Sequence, residues 1–273
     1  MSSATEAAAL PDITDKMIAE KDGAIGWMIF NNPARHNAIS VEMWEAMPKI
    51  LDDFEADPTI RVIVLKGAGD KAFVSGADIS QFEQQRSSPE LVKHYEDLAD
   101  NAGYRLATCP KPTIAMVRGY CIGGGLGIAL GCDLRIATEG SQFGVPAAKL
   151  GLGYRAGGIK KLLELVGPSF AKEIFFTARR FSAAEAIEMG LINRSLPDDE
   201  LDAYVRGYCD TIAANAPMTI HASKKIIEEL LKTRADLDAE KCEQLVMDCF
   251  NSEDYVEGRR AFMEKRKPVF KGR

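Results

Sequence analysis

Apolar residues recur along the chain in short runs of strand length, alternating with stretches of helical spacing, and glycine or proline marks most of the changes. The first two runs, residues 17–19 and 24–30, flank Asp22-Gly23, a dipeptide that predicts a β-hairpin. Residues 31–37 (NNPARHN) are rich in turn formers and read as a loop. Ser40 then stands at a helix-cap position, ahead of Val41, Trp44, Met47, Ile50, Leu51 and Phe54 at helical spacing. Asp57-Pro58 stops this helix and Pro48 predicts a kink inside it. Residues 61–65 (RVIVL) predict a strand, 71–79 (KAFVSGADI) a short apolar segment broken by glycine, and 91–106 a helix. The succession returns with a strand at 113–117, a turn at 119–125, a helix start at 126–130 and a strand at 133–137. Strand, loop, helix and strand at this pitch predict an α/β fold with parallel pairing. After Ser182 helical spacing dominates, over 183–189, 200–214, 218–232 and 237–250. Paired acids such as Glu228-Glu229 read there as solvated helix faces.

Composition narrows the class. The chain has 273 residues, 46% hydrophobic and 27% charged, enough for one large domain or for one domain with an appendage. Its net charge of −6 hides an asymmetry: residues 259–273 hold seven basic side chains and one acid, a +6 tail on a −12 body. The acidic body speaks against broad nucleic-acid binding, while the basic end suits a phosphorylated small molecule, an acidic partner or simply a solvated terminus. Six cysteines without a C-x-x-C pair and three scattered histidines support neither a zinc site nor a disulfide framework, so no metal and a reducing, cytoplasmic setting are expected. The first sixteen residues lack arginine and any long apolar run, unlike a signal or transit peptide. The longest apolar stretch, residues 121–132, has twelve residues, five of them glycine, and no membrane partner is expected.

Two glycine-rich segments carry candidate chemistry. In Cys121-Ile122-Gly123-Gly124-Gly125-Leu126-Gly127, three successive glycines between a strand and a helix let the backbone approach a ligand and aim free N–H groups at the helix entrance. Such a place suits an anion or a developing oxyanion. Gly76-Ala77-Asp78, after another short apolar run, offers a second donor from a separate strand end, and two donors on one oxygen are what a thioester-derived enolate or a tetrahedral oxyanion requires. A looser pattern, G-x-G-x-x-A over residues 151–156, matches a dinucleotide fingerprint but lacks a clear preceding strand.

Taken together, Asn32-Pro33 with Asn37-Ala38, Phe73-x-x-Gly76-Ala77-Asp78, Gly119-Tyr120-x-x-Gly123-Gly124-Gly125, Cys132-Asp133, Phe143-Gly144 and Gly151-Leu152-Gly153 resemble, in order and spacing, the crotonase (enoyl-CoA hydratase/isomerase) superfamily. The closing segment from Glu257-Gly258 to Lys267-Pro268 is similar to that family's C-terminus, and the resemblance covers roughly residues 15–270. It implies a spiral of repeated ββα units over 15–199, a helical region over 200–273 that builds a homotrimer or a dimer of trimers, and a flexible N-terminus over 1–14. It also implies an acyl-CoA thioester as substrate, with coenzyme A as part of that substrate and no tightly bound cofactor. Carried over by position, the amides of Ala77 and Gly124 form the oxyanion hole. Ala34, Arg35 and His36 line the CoA channel with Ala77 and Asp78, and Phe262 and Lys265 approach the adenine end.

The chain departs from the hydratase pattern at two decisive places. The family's hydratases carry one glutamate two residues after the glycine triplet and another after the proline of F-G-x-P, where this chain has Gly127 and Ala147. Neither residue can exchange a proton. Near the altered positions stand Lys149, Tyr154 and Arg155: lysine or tyrosine can serve as a general acid and arginine can hold a substrate carboxylate, and Tyr154 resembles the active-site tyrosine of the family's methylmalonyl-CoA decarboxylases. His94 and Tyr95 come from a region where some relatives recruit catalytic groups, whereas Ser75 and Cys121 lack a histidine partner nearby in sequence. The expected function is therefore an acyl-CoA lyase, hydratase or isomerase-type enzyme working through a stabilised enolate, with decarboxylation open. The alternatives are a non-catalytic acyl-CoA binder of the same fold and a dinucleotide-binding oxidoreductase.

Overall fold

Strands β1 (Met17–Asp22) and β2 (Ile25–Phe30) pair antiparallel with Asp22 opposite Ile25, and Gly23 supplies the left-handed backbone (φ 59°) of the tight turn between them. The computed structural model describes residues 13–78, 88–233 and 235–273; most of the expected N-terminal segment 1–14 lies outside them. Helix α1 (Val41–Ala56) starts at Ser40 and continues through Pro48 to Asp57. It buries Met43, Trp44, Met47, Ile50, Leu51 and Phe54 along one face, and that packing holds the helix despite the missing proline N–H.

The later strands are dealt alternately to two sheets. β3 (Val62–Gly67), β5 (Thr113–Val117) and β7 (Leu134–Thr138) extend β2 in parallel, giving the order β1-β2-β3-β5-β7-β10, with β10 (Arg194–Leu196) at the edge. β4 (Ala72–Val74), β6 (Tyr120–Ile122) and β8 (Gln142–Gly144) form a second parallel sheet, closed by the antiparallel β9 (Phe181–Ser182). Helices α2 (Pro89–Thr108), α3 (Gly124–Gly131), and α4 (Ala147–Leu150) with α5 (Ala156–Thr177) come after the successive strand pairs, so the unit is a ββα spiral. The turn expected over 119–125 is thus partly a strand. Gly119 makes its corner possible, since a Cβ there would stand 2.0 Å from the Lys71 carbonyl oxygen. Helix α5, absent from the sequence expectation because Gly157-Gly158 and Gly167-Pro168 interrupt its pattern, has its only non-helical backbone at Gly167.

β2, interior to the sheet between the antiparallel β1 and the parallel β3, is buried on both faces. Met28 and Phe30 meet α1 in the main core, whereas Ile25, Trp27 and Ile29 join Val62, Val64 and Ile114 under Leu201, Val205 and Cys209 of α7 (Leu201–Ala213). Helix α6 (Ala183–Glu188) leads to β10. The chain ends in α8 (Pro217–Leu230), α9 (Ala239–Phe250) and α10 (Glu253–Glu264). Glu229 corrects the solvated-face reading: it is buried, 2.7 Å from Lys232 Nζ, and its other oxygen accepts from the Asp238 amide. Ile227, Leu230, Met247, Phe250 and Phe262 lie exposed on these last helices.

Candidate functional site

The parallel strands of the smaller sheet end together, and the loops and helix starts beyond those ends build the site. After β4 come Ser75, Gly76, Ala77 and Asp78. Ile39 makes a single parallel bridge with Ala77: its amide donates to the Gly76 carbonyl (2.8 Å) and its carbonyl accepts from the Asp78 amide (3.0 Å). In that pattern the amide of Ala77 itself points away from Ile39, and it donates to no group among the described residues.

After β6, Gly123 adopts φ 55° and ψ −117° and donates to the Gly144 carbonyl (2.9 Å), so that α3 begins abruptly at Gly124. The first amides of a helix have no acceptor within it, and the Gly124 amide is the foremost of these in α3. Gly125 brings the helix start against the end of β4, because a Cβ there would lie 2.0 Å from the Val74 carbonyl oxygen. Gly123 similarly abuts Gly76, with 3.9 Å between a constructed Cβ and the Gly76 Cα. The end of β4 and the start of α3 therefore stand side by side, and glycine at 123 and 125 is the reason they can.

The preceding loop is pinned to the same corner. Asn37, fully buried, accepts from the Asn32 amide (2.9 Å) and donates to the carbonyls of Ala68 (3.0 Å) and Ala72 (2.7 Å). This anchors the short 3₁₀ turn Pro33–Arg35 and lets Arg35 reach the buried Asp78 carboxylate at 2.9 Å. Beside it opens a cavity of about 420 Å³ lined by His36, Ser75, Ile122, Pro146, Lys149 and Arg180 among others. Arg179 is occupied by Glu173 and Glu185, but no carboxylate pairs with Lys149 or Arg180 among the described residues. Arg180 lies 4.8 Å from the Tyr120 ring centroid and 3.4 Å from Gln142 Oε1. The cavity is electropositive and suits an anionic ligand. Sequence reading missed Arg180; its signal is faint, a basic pair ahead of a two-residue strand.

The remaining expected residues fall in three places. Gly127 lies exposed one helical turn beyond Gly124, with nothing within 4 Å of a constructed Cβ, and Ala147 is buried at the start of α4. Tyr154 is half-buried with its ring edge-on to Phe175 at 5.1 Å. Arg155 turns to α2, where Glu96, Asp97 and Asp100 hold its guanidinium and raise its pKa. His94 is exposed on α2, Tyr95 is buried, and the Pro110 carbonyl oxygen accepts a hydrogen bond from His221 Nδ1 (3.2 Å). Phe262 and Lys265 sit on and just after α10. Neither lines the cavity beside His36; Phe262 lines a separate apolar groove of about 610 Å³ between α8, α9 and α10.

Cys121 is fully buried, and burial pushes its thiol pKa up, as it pushes those of Cys109, Cys132 and Cys209 up to about 12. A raised pKa leaves the thiol protonated and unreactive at neutral pH. In the native protein a disulfide reagent at pH 8 is expected to titrate Cys242 and Cys249 only, the other four reacting after denaturation; rapid modification of Cys121 would contradict its burial.

Among the described residues there is no cluster of three metal-binding side chains and no helix long and apolar enough to cross a membrane. The G-x-G-x-x-A segment comes after helix α4, Gly151 being its left-handed cap, so the strand a dinucleotide fingerprint requires is missing. The family model described as enoyl-CoA hydratase/isomerase matches residues 20–273. The chain belongs to the enoyl-CoA hydratase/isomerase family.

Within that family, the short-chain-enoyl-CoA hydratase of Clostridium acetobutylicum is 33% identical over 253 residues, 93% of this chain and 96% of the relative. The crotonyl-CoA hydratase of Syntrophomonas wolfei is 32% identical, covering 94% and 98%. A crystal structure of an enoyl-CoA hydratase/carnithine racemase from Magnetospirillum magneticum superposes with a TM-score of 0.88 at 35% identity, over 95% of this chain and 97% of that one. The protein is thus a crotonase-superfamily enzyme with the family's α/β fold.

Proposed function

We propose that this enzyme of the enoyl-CoA hydratase/isomerase family binds an acyl-CoA thioester with its carbonyl oxygen between the amides of Ala77 and Gly124, and that it stabilises a thioester enolate there without two-glutamate hydration. The observation that carries the reading is the pair of unoccupied amides, one of them heading α3, beside positions 127 and 147 that hold no carboxylate. Two such donors stabilise negative charge that grows on the oxygen during reaction.

Decarboxylation of a malonyl-type acyl group fits this site. The bond from the α-carbon to the carboxylate breaks, carbon dioxide leaves, and the electron pair passes into the thioester as the enolate; a proton from Tyr154 or from water then completes the α-carbon. The step that makes the enolate removes no proton, so it needs no base. Glutamates at 127 and 147 would instead repel the substrate's own carboxylate. The cations of the cavity, Lys149 and Arg180, with Arg35 at the loop, suit the phosphates and carbonyls of the CoA moiety. Phe262 and Lys265 would meet the adenine end from α10 of a second copy in a homotrimer, which would also cover the apolar faces of α8 to α10.

The test is a mass-spectrometric screen of acyl-CoA esters that scores substrate loss and product mass together. A product from a malonyl-type ester that disappears in Gly124→Pro supports the reading; ester binding with no turnover of any ester would leave a non-catalytic binder. Replacing Lys265 with alanine is expected to weaken CoA-ester binding by several-fold at low salt and less at high salt, because the charge it removes is screened. Affinity unchanged at every ionic strength would remove Lys265 from the site.

A further inference from the structure

Trp44 carries a polar group that no contact among the described residues explains. Its side chain is only 6% exposed, and its indole Nε1, sealed from solvent, has no hydrogen-bond partner among the described residues. A buried donor of this kind is costly, and phenylalanine would fill an apolar position without that cost. Its setting is the site itself. Indole Cζ2 lies 3.8 Å from a Cβ constructed on Gly124, beside Ile39 Cγ2 at 3.7 Å, and Ile39 is the residue bridged to Ala77. Cζ2 and Nε1 are both bonded to Cε2, so the edge of the ring that carries the N–H is the edge turned toward the start of α3. Tyr95 meets the indole edge-on, with ring centroids 6.5 Å apart.

An indole N–H only donates, so its partner must be an acceptor. On the reading proposed above, the thioester oxygen has its two lone pairs engaged by Ala77 and Gly124, which leaves a different acceptor for Trp44. We propose that Trp44 is a specificity-determining residue whose Nε1–H reads an oxygen on the acyl chain beyond the thioester, so that the preferred substrates are acyl-CoA esters bearing a ketone or carboxylate there. The unmet donor sets the choice: an oxygen-free chain leaves it unsatisfied, while an oxygenated chain that reaches it on binding satisfies it.

The experiment compares dissociation constants of acetoacetyl-CoA, succinyl-CoA and butyryl-CoA for the full chain and for Trp44→Phe. Butyryl-CoA supplies only the thioester oxygen; the other two add a ketone and a carboxylate. The wild type is expected to bind at least one oxygenated ester roughly tenfold more tightly than butyryl-CoA, and Trp44→Phe to lose that margin while keeping its affinity for butyryl-CoA. Whichever ester loses its margin identifies the ketone or the carboxylate as the group that is read. The second measurement needs no change at Trp44: in Trp27→Phe the one remaining indole N–H resonance is that of Trp44, and the favoured ester should move it downfield whereas butyryl-CoA should not. Equal weakening of all three esters in Trp44→Phe, or an indole resonance indifferent to the oxygenated esters, would overturn the assignment while leaving the thioester site intact. Failure of every ester to bind would overturn both.

Discussion

Gly124→Pro should lower turnover by about 10²- to 10³-fold, the loss expected when one donor of an oxyanion hole is removed, while leaving the folded protein nearly as stable as before. The substitution is unusually clean at this position. Gly124 is the first residue of α3, where proline is well tolerated because the N–H it lacks has no partner inside the helix. The residue before it, Gly123, sits at ψ −117°, outside the helical region that a proline ring disfavours in its predecessor. A Cβ at 124 meets Ile39 and Trp44 at ordinary contact distances of 3.7 and 3.8 Å. A thermal melt close to that of the wild type together with collapsed turnover is the expected outcome. Retention of full activity by a folded Gly124→Pro would mean that this amide does not hold the reacting oxygen.

The second large effect runs in the opposite direction. Gly127→Glu combined with Ala147→Glu should confer hydration of crotonyl-CoA that the wild type lacks or performs at least 10²-fold more slowly, since each general acid or base contributes about 10²- to 10⁴-fold. Position 127 has room: its Cβ would meet nothing within 4 Å, and glycine in a helix is a poor residue to begin with. Position 147 is more demanding, because Ala147 is only 5% exposed and burial will raise the pKa of a carboxyl introduced there. That shift suits a group that must keep a proton near neutral pH until the α-carbon takes it, and it predicts hydration that declines as pH rises through the raised pKa. Loss of the enoyl absorbance measures the gain. Wild-type protein that already hydrates crotonyl-CoA as fast as the double variant would show that the acid and base come from elsewhere in the chain.

The alternation of strands and helices was legible because it is a local property: residues 113–117 read as a strand and form one, and the run of apolar positions from Val41 to Phe54 marks α1. The division of those strands between two sheets was not, since Tyr120–Ile122 is three residues long between glycines and looks like a turn until its neighbours β4 and β8 are in place. The two donors were legible only as glycine patterns. What sequence could not convey is that Val74 leaves no room for a side chain at 125, the contact that sets the start of α3 beside Ala77. Arg180 reaches its cavity from just ahead of a two-residue strand, and Trp44 read as one more apolar position on α1; a side chain that serves both core and site gives a pattern for the first role alone.

The donors at Ala77 and Gly124 belong to the main chain, and this has a consequence for how such a protein changes over generations. A codon change alters a side chain but, short of proline, cannot delete an amide, so the half of the site that would stabilise negative charge is sheltered from most mutation as long as the corner glycines hold. Positions 127 and 147 carry no such protection, and the exposed Gly127 bears little of the fold. Selection is therefore free to rewrite proton transfer at those two places, one residue at a time, over a fixed electrostatic foundation.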